Sequence, residues 1–191
     1  MTEKIGDRWK QYFVAIIPPS PWQEEALALK HYFSERYNSG GALRSPPDIT
    51  LHMPFRWKEE NEDLLIASLT AFAVQHKSFV LAFENFGSFP PRVIFIALRP
   101  SEELAMMQTD LQRHVKAELN LFNANYKEHP FRPHLTVAFR DLRKSAFREA
   151  WDEFKEKHGE FAVERIVLLK HNGIMWEVFK EFSLPGHQRV T

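Results

Sequence analysis

The chain has 191 residues, 44% of them apolar and 14% aromatic, which is enough material for one sizeable core. Lysine plus arginine equals aspartate plus glutamate at 25 each, so no overall charge points to duplex DNA or a membrane surface. The absence of cysteine excludes disulfides, thiolate catalysis and cysteine-bound zinc. A polar N-terminus and the lack of a membrane-length apolar run predict a cytoplasmic protein.

The first half of the chain alternates strand-like and helix-like segments. An apolar run that ends at two prolines is typical of a buried strand, and apolar residues at helical spacing indicate helices. Ser39-Gly40-Gly41 should end the first helix, because glycine favours the backbone of a helix C-terminus. The predicted elements are a strand at 12–17, a helix from 22 to about 38, a strand at 48–55 and a helix at 61–76.

The second half repeats this alternation. Ser101 can cap a helix, and Asn172-Gly173 is a strong turn signal for a closing hairpin. Residues 185–191 are predicted to be a loose tail. The predicted elements are strands at 79–86 and 93–98, a helix at 101–119, a strand at 131–139, a helix ending near His158-Gly159, and strands at 163–170 and 174–182.

The predicted strand at 131–139 carries a polar pair on one face. Because side chains alternate along a strand, His134 and Thr136 stand side by side, roughly 6.6 Å apart. The same alternation sends Phe139 to the opposite face, where we expect it in the core. An imidazole beside a hydroxyl suits the handling of a phosphate, but a single His-x-Thr pattern arises easily by chance.

A related motif in the first half supplies a partner. Pro47-Asp48-Ile49-Thr50-Leu51 matches Pro133-His134-Leu135-Thr136-Val137, and the order strand, helix, motif strand, helix, hairpin strand occurs twice. This repeat predicts an α+β fold in which residues 1–191 form a single domain of two similar, interleaved lobes. The two motif strands should then face one another.

Two His-x-Thr strands across a cleft suit phosphodiester transfer without a metal. One histidine takes a proton from the nucleophile and the other protonates the leaving oxygen, and an imidazole pKa of about 6.5 suits both roles. Threonine hydroxyls, with nearby arginine or lysine, would hold the non-bridging phosphate oxygens. The sequence contains no P-loop, His-Glu-x-x-His motif or acidic cluster that offers a metal-based alternative.

On these two motifs, and on the segment 83–90 followed by the apolar run 93–98, the sequence resembles the 2H phosphoesterase superfamily. This is the group of 2'-5' RNA ligases and RNA 2',3'-cyclic phosphodiesterases, and the resemblance covers nearly the whole chain. It implies a bilobal fold with pseudo-two-fold symmetry, in which antiparallel sheets line a central cleft and helices lie outside.

The resemblance also implies a function. We expect activity on 2',3'-cyclic phosphates or 2'-5' linkages, without a metal or other cofactor. The partner would be a nucleotide or RNA terminus, and a monomer is favoured although the oligomeric state stays open. Catalytic roles carry over to His134, Thr136 and Thr50.

The first motif departs from the family pattern at Asp48, where the family has histidine. A carboxylate with a pKa of about 3.9 is ionised at neutral pH, so it can accept a proton but cannot donate one unless strongly perturbed. By strand alternation, His52 shares a face with Asp48 and Thr50, so Asp48 could orient or accept while His52 reaches in. Alternatively, Asp48 only starts the strand after two prolines and His52 lines the cleft passively.

Six further residues are candidates for substrate binding. The basic residues precede the second motif, where a phosphate or flanking nucleotides would approach, and the aromatic residues could stack on a base or pack in the core. They are Lys127, His129, Arg132, Phe55, Phe131 and Trp176.

Three functional hypotheses stay open. The first is an enzyme, a 2H-type phosphodiesterase or 2'-5' RNA ligase-like protein that uses histidine acid/base catalysis. The second, motivated by Asp48, is a catalytically impaired protein of the same fold that binds a nucleotide or RNA end. The third is an interaction domain with a vestigial cleft. Turnover of 2',3'-cyclic nucleotides separates the first hypothesis from the others.

Overall fold

The two halves of the chain fold into the same order of elements. The computed structural model describes residues 8–122 and 130–186. The first unit consists of β1 (Trp9–Ile16), α1 (Trp22–Tyr37), β2 (Ile49–Lys58), α2 (Glu62–Ala73) and β3 (Phe79–Phe89). The second consists of β4 (Val93–Leu98), α3 (Glu102–Leu119), β5 (His134–Ala138), α4 (Lys144–Glu153) and β6 (His158–Val163), and the hairpin of β7 (Arg165–His171) and β8 (Trp176–Ser183) follows. The predicted α+β repeat is confirmed.

The strands form one antiparallel sheet in the order β6-β3-β4-β5-β2-β1-β7-β8. The motif strands β2 and β5 lie at its centre, where the pair Ile49 and Leu135 joins them. Each motif strand therefore has three strands on its outer side. The predicted antiparallel arrangement is confirmed. The predicted fold has separate sheets on the two sides of a cleft, whereas in the structure the pairing of β2 with β5 joins all the strands into one sheet.

The helices pack on one face of this sheet, and a helix from one half of the chain contacts the motif strand of the other half. Helix α1 packs on β5, whereas α3 packs on β2 and on α2. Buried apolar side chains between the layers form the main core, including Phe33, Leu51, Leu111 and Leu135. Fully burying such a side chain contributes about 1.5–3 kcal/mol. In the described part of the chain, no helix has both the length and the apolar character that a membrane crossing requires.

The opposite face of the sheet carries a second, smaller apolar cluster. Phe13 and Ala15 of β1 pack there against Val167 and Leu169 of β7. They occupy this face because neighbouring residues such as Val14 point to the main core, as strand alternation requires. The candidate site lies on this side.

One predicted boundary is wrong. His158-Gly159 begins β6 and does not end α4, which stops at Glu153. Gly159 pairs with Phe83 of β3, and a Cβ atom on it would lie 2.1 Å from the ring of Trp22. The glycine is thus required by the close approach of the first turn of α1 to the edge of the sheet.

Candidate active site

The two sequence motifs meet where β2 and β5 pair. Ile49 lies opposite Leu135, and both side chains are fully buried in the core. Continuing the antiparallel register by one residue in each direction sets Asp48 opposite Thr136 and Thr50 opposite His134. All four side chains line one cavity of about 910 Å³. The structure therefore brings these four predicted site residues together.

The hydrogen bonding of His134 leaves one ring nitrogen for chemistry. Its Nδ1 lies 2.7 Å from the carbonyl oxygen of Arg132, and because a carbonyl only accepts, Nδ1 carries the proton. Nε2 is then the nitrogen that can accept or donate a proton in a reaction. The rings of Phe89 and Phe95, with centroids 5.0 and 4.8 Å away, hold the imidazole in place.

Burial lowers the pKa of His134 below its ordinary value of 6.5, and the positive charge of Arg132 adds to this effect. The hydrogen bond to the Arg132 carbonyl and the negative charge of Asp48 act in the opposite direction. In the free protein at neutral pH, His134 is therefore mostly neutral.

Asp48 is half-buried, and hydroxyl groups bind both of its carboxylate oxygens. Thr50 Oγ1 donates to Oδ2 at 3.0 Å, and Ser45 Oγ donates to Oδ1 at 3.3 Å. Burial raises the pKa of Asp48, and the charge of Lys30, the two hydroxyls and His134 partly offset this rise. A carboxylate with a raised pKa is a stronger base than an ordinary aspartate.

The site also contains a buried cation that sequence reasoning missed. Lys30 of α1 is 2% exposed, and its Nζ donates to the carbonyl oxygens of Ser45 at 2.9 Å and Pro46 at 3.1 Å. Burial lowers the pKa of Lys30 to about 8, although Asp48 raises it in part. The available signal was helical spacing, since Lys30 follows Ala26 by four residues and precedes Phe33 by three, within the buried stripe of α1.

The prediction that His52 shares a face with Asp48 and Thr50 is wrong. The register of β1 with β2 shifts between Val14, which pairs with His52, and Ala15, which pairs with Thr50. The extra residue in β2, Leu51, is a β-bulge that changes the alternation, so Leu51 and His52 are both buried.

His52 is instead held within the protein, next to a half-buried aromatic side chain. Its Nδ1 donates to the Met53 carbonyl oxygen at 2.8 Å, and its ring meets Phe55 edge-on. Among the described residues, Nε2 finds no hydrogen-bond partner, and burial lowers the pKa of the ring. The cavity is lined by Met53 and Pro54 at this point, not by His52.

The candidates for substrate binding divide into three groups. Arg132 and Trp176 line the cavity. Phe55 and Phe131 do not line it and pack half-buried against the main core. Lys127 and His129 lie outside the described residues.

Two aromatic surfaces border the cavity. On one side, Trp176 packs edge-on against Phe13 with ring centroids 4.7 Å apart, and His171 lies 4.9 Å from Trp176. On the other side is Phe139, which is 41% exposed and lines the cavity. The prediction of a core position for Phe139 is wrong because β5 ends at Ala138, so strand alternation no longer applies.

The charge of the cavity favours an anion. Four cationic side chains line it against two carboxylates, and the additional cations are Arg44 and Arg140. The second carboxylate, Asp141, is already engaged, because it accepts hydrogen bonds from Ser39 Oγ at 2.8 Å and from the Gly41 amide at 2.7 Å. Across residues 8–122 and 130–186, no group of three or more histidine, aspartate or glutamate side chains is placed to hold a metal ion.

The sequence is similar to a known protein family and to named relatives. A family model described as the 2'-5' RNA ligase superfamily matches residues 17–174. A protein of Geobacillus kaustophilus named "Putative phosphoesterase" is 30% identical over 186 residues, which cover 94% of this chain and 99% of that protein. A protein of Oceanobacillus iheyensis with the same name is 28% identical over 179 residues, which cover 91% and 98%.

Solved structures share the fold. A protein of Thermus thermophilus aligns with a TM-score of 0.67 at 20% identity, over 93% of this chain and 99% of that one. Escherichia coli LigT, solved in complex with 3'-AMP, aligns with a TM-score of 0.63 at 18% identity, over 92% and 98%.

Proposed function

Because this chain belongs to the 2'-5' RNA ligase superfamily, we propose that it is a phosphodiesterase that opens 2',3'-cyclic phosphates at the ends of nucleotides or RNA. The family and the names of the relatives support an enzyme of the hydrolase or ligase type acting on phosphoesters. The observation that carries the finer proposal is the convergence of His134 and Asp48, one from each motif, on a cavity with more cations than carboxylates.

The two residues divide the proton transfers between them. Asp48 accepts a proton from a water molecule, whose oxygen forms a new bond to phosphorus. The bond from phosphorus to one ribose oxygen breaks, and His134 Nε2 donates a proton to that oxygen. His134 is protonated for this step because the anionic phosphate beside it raises its pKa. The product is a phosphate monoester with a free neighbouring hydroxyl.

The remaining polar residues hold the phosphate. The hydroxyl of Thr136 and the guanidinium of Arg132 are available for the non-bridging oxygens, which gain negative charge in the transition state. Thr50 differs from Thr136, since its hydroxyl already binds Asp48 and therefore orients the base. LigT has been solved with phosphate, ATP and NADP+, which supports a nucleotide phosphate as the ligand of this chain.

Substitution of His134 tests this assignment. In the presence of EDTA, the wild-type protein should turn over a panel of 2',3'-cyclic nucleotides, and His134→Ala should lower kcat by about 100-fold or more because the proton donor is lost. His31→Ala, an exposed change on α1 outside the cavity, is the matched control and should retain the wild-type rate. A His134→Ala protein with an unchanged rate would overturn the assignment.

A second candidate function is binding of a nucleotide or RNA end without turnover. It is favoured by Asp48, whose negative charge repels a phosphodiester unless a cation balances it. If no cyclic nucleotide is hydrolysed, calorimetric titration with 2'-AMP and 3'-AMP decides between this function and a vestigial cleft. Saturable binding supports the binding protein, and the absence of heat supports the vestigial cleft.

A further inference from the structure

The most unusual charged group in the described chain is the buried ammonium of Lys30. Lysine is almost never fully buried unless it is paired, because removing its charge from water is unfavourable. Its two hydrogen bonds go to the neutral carbonyl groups of Ser45 and Pro46. Backbone carbonyls satisfy the N–H groups but carry no full negative charge, so the hydrogen bonds alone do not explain a cation at this position.

The negative charge that acts on Lys30 is Asp48. Each of the two groups shifts the pKa of the other toward its charged form. They are also linked through one segment of chain, because Lys30 binds the Ser45 carbonyl while the Ser45 hydroxyl donates to Asp48. Lys30, Ser45 and Asp48 therefore form one connected unit, which we call the Lys30–Asp48 unit.

Comparison with the second motif shows why such a unit is needed. The imidazole of His134 is either neutral or positively charged, so it never brings a negative charge toward a phosphate, and a single carbonyl hydrogen bond orients it. Asp48 holds the corresponding place in the first motif, and a carboxylate there brings a negative charge close to the negative substrate. The buried ammonium of Lys30, which lines the same cavity, compensates for this charge.

We propose that Lys30 is the positioning residue for Asp48. Its ammonium holds the segment that precedes β2 and keeps Asp48 a carboxylate beside the bound phosphate, so that Asp48 accepts a proton while His134 donates one. This inference rests on the proposed phosphodiesterase function. It adds to that function the group that allows an aspartate to work where the second motif has a histidine.

The charged surroundings of Asp48 determine the sign of the expected pH effect. Lys30 faces it from α1 and His134 faces it from β5. The same cavity is lined by the charged side chains of Arg44, Arg132, Arg140 and Asp141. Removing Lys30 takes away the largest of the influences that lower the pKa of Asp48, so that pKa must rise.

The test is the pH dependence of kcat/KM for a 2',3'-cyclic nucleotide in Lys30→Met, Asp48→Asn and the double variant. The acidic limb is the fall of kcat/KM at low pH, where Asp48 becomes protonated. In Lys30→Met this limb should move to higher pH by about one unit, because Asp48 must be ionised to accept a proton. Asp48→Asn should lose this limb. The double variant should be no slower than Asp48→Asn, since without a carboxylate there is nothing left to position.

Two control variants separate this role from a structural one. Lys30→Arg keeps the cation and should keep the acidic limb near its wild-type position. Lys116→Met, an exposed change on α3, should leave the whole profile unchanged. Two results together would overturn the inference and assign Lys30 to loop structure alone. The first is that Lys30→Met lowers kcat/KM by the same factor at every pH, and the second is that the double variant is slower than Asp48→Asn by that factor.

A measurement without turnover keeps the two proposals separable. The pKa of Lys30 can be followed by NMR of its side-chain carbon and nitrogen in the wild type and in Asp48→Asn, which retains Lys30. A lower pKa in Asp48→Asn supports the coupling, and an equal pKa overturns it whether or not the protein is an enzyme. Failure of the wild type to hydrolyse any cyclic nucleotide overturns the phosphodiesterase function instead.

Discussion

Asp48 immediately precedes β2 and His134 begins β5, yet the surroundings of the two residues differ in charge. His134 lies between Phe89 and Phe95 and is oriented by a backbone carbonyl. Asp48 is surrounded by two hydroxyls and faces a buried ammonium. Each environment suits the group it holds. A neutral imidazole is stable in an apolar site, whereas a charged carboxylate needs hydrogen-bond donors or a nearby cation.

This match predicts the result of restoring a histidine to the first motif. Asp48→His alone should lower kcat/KM by about tenfold, because the new imidazole would lie beside Lys30 without a compensating carboxylate. The double variant Asp48→His/Lys30→Met removes that cation and should recover most of the loss. Rates at pH 7 with a cyclic nucleotide measure both effects. If Asp48→His by itself were faster than the wild type, Asp48 would be a defect and not a working base.

At the scale of elements, the path of β2 decides which residues reach the cavity. The bulge at Leu51 turns His52 toward the protein interior and leaves Met53 and Pro54 to line the site. A side chain of α3 supports the bulge, since the buried Gln108 donates from Nε2 to the Leu51 carbonyl oxygen at 3.4 Å. A helix from the second half of the chain thus stabilises the motif strand of the first.

The contact between α1 and β6 gives a prediction on stability. In Gly159→Ala the new Cβ would meet the ring of Trp22, whose Nε1 donates to the Glu160 carbonyl oxygen at 3.1 Å. Relief of this overlap must shift the ring or the strand, so the free energy of unfolding should fall by about 1–3 kcal/mol. Urea unfolding measures it. Gly186→Ala is the control, because its Cβ would meet nothing within 4 Å, and equal stability of the two variants would refute the close contact.

At the scale of the whole molecule, the site exists only when the two halves are together. Helix α1 comes from the first half and packs on β5, and α3 comes from the second half and packs on β2. The pairing of Ile49 with Leu135 brings Asp48 and His134 toward each other. Packing of each half against the other therefore positions the reacting groups.

The buried histidines predict how the stability of the whole molecule depends on pH. Burial lowers the pKa values of His52 and His134 in the folded protein, whereas in the unfolded chain both are near about 6.5. As the pH falls below about 6.5, the unfolded chain binds protons that the folded protein does not, so the folded state loses stability. This loss continues until the pH passes the lowered values.

His52 provides the cleaner test because it does not line the cavity. Between pH 7.5 and 5.5, the free energy of unfolding of His52→Leu should fall less than that of the wild type, by up to about 1 kcal/mol. Urea unfolding at the two pH values measures the difference, and His31→Leu, an exposed change, should behave as the wild type. The same pH dependence in His52→Leu and the wild type would contradict the prediction.

The alternation of strands and helices and the α+β repeat can be predicted from the amino-acid sequence, because strand alternation and helical spacing each require only a short stretch of chain. The family and its antiparallel sheet were predicted from the resemblance of the two motifs and of the segments 83–90 and 93–98, not from these periodicities. The two matching motifs also pointed to Asp48, Thr50, His134 and Thr136 as a group, because equivalent positions of a repeat occupy equivalent places in a two-fold arrangement. Their catalytic roles stay predictions.

The details of the site depend on tertiary packing. Whether His52 or Met53 faces the cavity depends on the register shifts between β1 and β2, because a shift of one residue moves a side chain to the other face of the sheet. Phe139 does not lie in the core, because β5 ends one residue before it, at Ala138. Lys30 and Asp48 belong to different elements, and their coupling required the packing of α1 beneath the loop before β2. Such long-range contacts have no signature in a local pattern.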